Sequence, residues 1–252
     1  MQIVEATWER RNLGLSVFEV TLDKKDCRSL PNVLDRLSDS MFKGAYVTVK
    51  VPVGDLGCVH ALEDFGFRFM EAQIGIRYDL TKYRTPPELK GAIVPVSIRE
   101  IPRERSAWQS IADKISPDLF ETDRISLDPL FGTTVGCRRY RNWILDLVER
   151  DDAHLLVFGD PEDENVDYGF TIDRLDERTG VLHGILGGVF ADCDVPGIGI
   201  SIYDASFRND VVRGAKILDS ALSSNNPTVV AMDSALGIGF RRFTYVLRKR
   251  FG

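Results

Sequence analysis

The stretch DVPGIGIS, residues 194–201, lies between an apolar run, VLHGILGGVF (181–190), and an amphipathic one, IYDASFRNDVVRG (202–214). Glycine at 197 and 199 lets the backbone crowd against a neighbour. The helix that follows is predicted from Ile200, Tyr203, Phe207 and Val211, which recur at three and four residues as a core-facing stripe. Strand, glycine turn and helix start together make an anion site, because the first helical N–H groups and the helix dipole point at the turn. An ordinary tight strand-to-helix turn would use the same glycines, so the surrounding chain has to decide between the two.

Outward from this turn the sequence divides at YRTPPELKG, residues 83–91, whose adjacent prolines read as a linker. Residues 1–82 alternate strand-like and helical segments, LSVFEVTL, LPNVLDRLSDSM, AYVTVKVP, DLGCVHALEDFG and FRFMEAQIGIRYDL, and are expected to form a small N-terminal αβ domain. Residues 92–252 run AIVPVSIREI, two helical stretches (RSAWQSIADKI and CRRYRNWILDLVER), then strands HLLVFGD, DYGFTIDRL and GVLHGILGGVF before the glycine turn. A faint echo links the halves. VKVPVGDLGCVHALEDFGFRFMEAQIGIRYDL and SALSSNNPTVVAMDSALGIGFRRFTYVLRKRF each run strand, helix, Gly-Phe or its near equivalent, and a long strand with a charged tip.

Bulk composition excludes several classes. With 252 residues, 44% hydrophobic and 28% charged, the chain can bury real cores. A net charge of −6 with the 32 Lys and Arg scattered disfavours a nucleic-acid partner. No apolar run approaches a membrane span, and MQIVEATWERR lacks a signal-peptide core, so a cytoplasmic protein is expected. Cys27, Cys58, Cys137 and Cys193 form no CxxC pair, and three histidines give no zinc spacing, so no metal is expected.

The turn matches neither a dinucleotide fingerprint nor a P-loop. Asp194-Val195-Pro196-Gly197-Ile198-Gly199 instead resembles the Q/R-x-x-G-x-G/A loop of the GNAT-type N-acetyltransferase superfamily, and NNPTVVAMDSALG resembles its N-x-x-A-x-x-L-Y-x-x-x-G pattern, with Asn226 as the Asn and Gly237 at plus eleven. TWERRNLGLSVFEV, HALEDFGFRFMEAQIGIRYDL and RRYRNWILDLV are similar to stretches of the TDP-fucosamine acetyltransferases within that superfamily. The resemblance implies an α/β (α+β) fold with a GNAT-like mixed, splayed sheet flanked by helices. It implies that Asp194, Val195, Gly197, Ile198 and Gly199 cradle the pyrophosphate of acetyl-CoA, with Val189 beside the pantetheine arm and Asn226 at the site. The implied acceptor is a primary amine, best a nucleotide-linked amino sugar of surface polysaccharide, with a homodimer left open.

Three departures matter. Asp194 replaces Gln or Arg at the loop, Pro196 removes an N–H from it, and Asp233 stands where the superfamily has the Tyr thought to protonate the departing thiolate. An ionised carboxylate cannot donate that proton unless burial keeps it neutral. His183 as a base and Tyr245 as a replacement acid are the other catalytic candidates, against the plainer readings of a sheet histidine and a strand aromatic. Arg124, Tyr140 and Arg141, with Asp123, fall in the region that shapes the acceptor pocket, where an Arg could clamp a diphosphate and where solvated surface charge is the plain reading. Cys193 reads as a buried thiol. A non-catalytic coenzyme A binding module, and an N-acyltransferase for an amino acid or peptide amine, are the alternatives to the amino-sugar enzyme.

Overall fold

The computed structural model describes residues 1–252. The first half runs β1 (Gln2–Glu5), α1 (Arg10–Leu13), β2 (Val17–Thr21), α2 (Lys24–Arg28), α3 (Leu30–Leu37), β3 (Tyr46–Pro52), α4 (Leu56–Asp64) and β4 (Arg68–Asp79). The second runs β5 (Ser97–Glu100), α5 (Arg105–Asp113), α6 (Arg124–Leu127), α7 (Thr133–Leu147), β6 (Ala153–Gly159), β7 (Asp167–Asp176), β8 (Val181–Val189), α8 (Ile198–Val212), β9 (Ile217–Ser223), α9 (Pro227–Ala235) and β10 (Phe240–Arg250). Local chemistry sets several starts. Asp23 and Asp26 form a reciprocal capping box for α2, and Asn226 accepts from the Val229 amide with Pro227 at the first position of α9.

All ten strands join one mixed sheet in the order β1-β2-β3-β10-β4-β9-β8-β7-β6-β5. Period-two alternation sorts side chains to its faces. In β3, Val47, Val49 and Val51 enter the core under α2, α3 and α4, while Tyr46 points the other way and donates a hydrogen bond to Asp128 at 2.8 Å. In β6, Leu155 and Val157 pack with α5 and α7, and Leu156 and Phe158 pack with α8.

The sequence echo has a structural counterpart. β10 is antiparallel to both β3 and β4, and β4 is antiparallel to β9, so the unit β3-α4-β4 and the unit β9-α9-β10 exchange their last strands about a pseudo-two-fold axis between β10 and β4. Each first strand also has a parallel outer neighbour, β2 beside β3 and β8 beside β9. The sheet therefore crosses residues 83–91 without a break. That segment is anchored rather than loose: the Tyr83 hydroxyl (2.7 Å) and Thr85 hydroxyl (2.5 Å) donate to buried Asp204 of α8. The stripe predicted for α8 also shifts. Phe207 is buried, but Val211 is exposed, and Ile198, Ile202 and Ala205 fill a second core, because α8 is covered on two sides.

Candidate functional site: a forked sheet

β8 and β9 are parallel and in register only at Val181, Leu182 and His183 with Ile217, Leu218 and Asp219. Beyond that the strands part, while β8 runs on to Val189 and β9 to Ser223. Two features sit at the fork. The Ser220 hydroxyl donates to the Gly184 carbonyl at 3.0 Å. On the other edge of β8, Ile172 faces Leu186 and Asp173 faces Gly184, leaving Ile185 as an extra residue. Such a bulge bends and twists its strand, and here it turns β8 away from β9.

The fork opens into two chambers that meet at a waist. One, of about 230 Å³, is largely apolar and lies between the parted strands and beneath α8 and α9; Ser206, Asp210, Asn226 and Asp233 are among the polar residues that line it. The other, of about 420 Å³, lies between the two halves and is polar, with Glu19, Lys50, Glu71 and Gln73 from the first half and Arg124 and Arg139 from the second. Asp123, Tyr140, Ile185, Leu186 and Ser223 line both. At this waist the Tyr140 hydroxyl donates to Asp123 at 2.9 Å, and its ring stacks on Phe120 with centroids 3.9 Å apart.

Electrostatics separate the chambers. Asp233 is 2% exposed, and burial alone, with no protein group bonded to the carboxyl, pushes its pKa up to about 7. Asp210 is also pushed up to about 7, by burial and then by the nearby Asp173, while Ser206 and Arg213 bond to it. In the polar chamber most charges are paired. Arg124 reaches Glu71 at 3.3 Å and Glu19 at 3.6 Å, and Arg139 reaches Glu9 at 2.6 Å. Lys50 has no ion pair, and burial pushes its ammonium down.

A mixed sheet whose two central parallel strands fork around a through-going cleft decides the architecture. The fold is a GNAT fold. The chain is similar in structure to a GCN5-related N-acetyltransferase from Sphaerobacter thermophilus (TM-score 0.58, 11% identity, 98% of this chain and 75% of that one). It is similar to one from Kribbella flavida (0.54, 14%, 94% and 82%). A third similar structure is a fungal GCN5-related glucosamine N-acetyltransferase region of a multi-domain β-N-acetylglucosaminidase (0.58, 16%, 98% and 31%). No protein-family model and no curated protein matches the sequence.

Within the GNAT fold the expected site residues scatter. Asp233, Asn226 and Tyr140 line the cleft. Asn226 spends its carbonyl oxygen on capping α9, and its amide nitrogen has no partner. Val189, Asp194, Val195, Gly197, Ile198 and Gly199 lie at the far end of β8 and the start of α8, outside both chambers. Gly197 adopts φ 75°, which L side chains rarely take, and a side chain on Gly199 would meet Met232 Sδ at 3.2 Å and Val189 at 3.7 Å. The Ile198 amide bonds the Val195 carbonyl at 3.2 Å, whereas the amides of Gly199 and Ile200 have no acceptor.

Three expected residues lie away from both chambers, and a fourth lines one of them. His183 sits before the fork, beside Arg174 and Asp152 in a separate surface depression, because it lies on the stretch still paired to β9. Tyr245 packs against the first-half core and edge-on to Phe69, since β10 is inserted between β3 and β4. Arg141 is no clamp for a diphosphate: its guanidinium bonds the Ile115 carbonyl at 2.6 Å and the Asp113 carbonyl at 3.4 Å, closing the end of α5. Arg124 lines the polar chamber but is held by two glutamates. The sequence reading missed Lys50, Glu19, Glu71 and Gln73. Their signal was there, a lysine inside the valine strand VTVKV and alternating polar residues in MEAQIG, but it acquires meaning only when the halves share a sheet.

Proposed function

We propose that the protein transfers an acyl group from an acyl-CoA thioester to a primary amine. The observation that carries this reading is the fork between β8 and β9, with a cleft passing through it from an apolar chamber to a polar one. The apolar chamber suits a pantetheine arm, and the unbonded amides of Gly199 and Ile200 at the start of α8 suit a phosphate. An amine arriving through the polar chamber meets the thioester at the waist, where Asp123 can accept a hydrogen bond from it. The amine nitrogen bonds to the acyl carbon and gives up a proton to water in the polar chamber, the carbon–sulfur bond breaks, and the departing thiolate takes a proton from Asp233, which regains one from solvent. Burial, which pushes the Asp233 carboxyl up to about 7, supports it as the source of that proton. Positioning of the two reactants would supply much of the rate, roughly 7 to 11 kcal/mol at best.

An amino sugar linked to a nucleotide diphosphate is the acceptor that the sequence resemblance implies, and one similar structure is a glucosamine N-acetyltransferase region. Against it, Arg124 and Arg141 are already engaged. A binding module without turnover is favoured by one feature, the exposed Asp194 and Asp192 beside the phosphate position. The four free cysteines suit a reducing compartment such as the cytoplasm.

Acetyl-CoA added to a thermal melt is expected to raise the midpoint, with about 2.7 kcal/mol gained at a hundredfold excess over Kd. Thiol release with an amine panel then separates enzyme from module. An unmoved midpoint at millimolar acetyl-CoA defeats both readings.

A further inference from the structure

The polar chamber holds one cation that makes no ion pair, although Glu19 and Glu71 act on it from a distance. Lys50 projects from β3 on the same face as Tyr46 into the chamber, and no carboxylate comes within 4 Å of its ammonium. Every other charge there has a partner. Arg124 is shared by Glu19 and Glu71, Arg139 is bonded to Glu9, Asp123 accepts from Tyr140 and the Ile125 amide, and Asp146 from Arg11. The Gln73 side chain on β4 is also unbonded. A partly buried, unpaired ammonium beside an idle amide is costly unless a ligand completes it.

We propose that the acceptor amine carries a carboxylate, an amino acid or a short peptide end, with Lys50 and Gln73 holding the carboxylate while the amine reaches the waist at Asp123 and Ser223. This rests on the acyl-transfer reading above and names its substrate class. Charge and size select a carboxylate over a diphosphate. Lys50 is the one cation without an ion pair in a chamber whose walls carry more acidic than basic side chains, so it can pair with a single carboxylate, whereas the second negative charge of a diphosphate would meet glutamates and no free cation. The volume of about 420 Å³ holds an amino acid with room for its side chain.

The test uses the full chain and thiol release from acetyl-CoA with three probe sets: the free L-amino acids, the same compounds as carboxamides, and thymidine-diphosphate amino sugars. At least one free acid is expected to exceed its own carboxamide by about tenfold or more in kcat/KM, mostly through KM. Lys50→Met should erase that preference, Lys50→Arg should restore part of it, and the KM for acetyl-CoA should not move in either variant. Equal turnover of acids and carboxamides, preference for the nucleotide sugars, or an unchanged preference in Lys50→Met would each overturn the proposal. If acetyl-CoA raises the melting midpoint but no probe is turned over, the carboxylate acceptor is wrong and the acyl-CoA site stands. If acetyl-CoA leaves the midpoint unmoved, the acyl-transfer reading itself is wrong and takes this inference with it.

Discussion

Asp233 shows how one position changes meaning with its surroundings. As a letter in the sequence it is an acid standing where a hydroxyl donor belongs; in the fold it is a carboxyl 2% exposed and bonded to nothing, titrating at about 7 instead of 3.8. The folded chain therefore binds one more proton than the unfolded chain between those values. Its stability contribution is complete below about pH 4 and is lost as pH rises through about 7. Asp233→Asn should then melt higher than the parent at pH 8, by at most about 4 kcal/mol, with the gap narrowing toward pH 4 in a series of thermal melts. Activity should move the opposite way. The parent's kcat is expected to fall as pH rises through about 7, and Asp233→Asn should lose about a hundredfold at pH 6 and that limb of the profile with it. A variant with unchanged kcat and the same limb removes Asp233 from the mechanism.

Among elements, the fork is decided by β8 rather than by the glycine turn that drew attention in the sequence. Strand, turn and helix at 181–212 were legible because apolar runs, glycines and helical spacing are local signals. The bulge at Ile185 was not, since an extra residue is defined only against the partner strand β7. Deleting Ile185 should bring residues 186–189 into continuous register with β7, relax the bend and let β8 pair further along β9. The expected result is a folded protein whose melting midpoint no longer responds to acetyl-CoA; a full response would mean that the bulge does not hold the cleft open. The turn contributes close approach instead. Gly199 lets α8 pack against Met232 of α9, leaving two amides free at the helix start.

The whole molecule is built on a repeated half, and only one half is open. β2 and β3 stay paired along Val17–Thr21, with the Leu22 amide adding a further bond to Lys50, so the first half has no counterpart of the fork. Calorimetry should therefore find one acyl-CoA equivalent per chain, and two would show that β2 and β3 separate in solution. The exchanged strands make a second prediction. Residues 92–252 alone would leave β10 without β3 and β4, and β9 without β4, exposing long unpaired edges. That fragment is expected to aggregate or to lack a cooperative melt, whereas a soluble fragment with a sharp transition would assign the first half a lesser structural role. Asp128, wholly buried, reinforces the join by accepting from Tyr46 at 2.8 Å and from Arg248 at 2.9 Å through both oxygens.

What the sequence determined by itself was set within windows of ten to twenty residues: the strands and helices, the glycine turn, the capped start at Asn226, and the repeat of strand, helix and long strand, all of which follow from periodicity and backbone preference. Tertiary structure alone decided which strands are neighbours. That choice moved Tyr245 and His183 away from the cleft, brought Lys50 and Gln73 up to it from the other half, and buried Asp233 deeply enough to push its pKa up to about 7. Pairing energy depends on partners distant in the chain, and desolvation depends on everything packed around a group, so neither is written in the residues beside it.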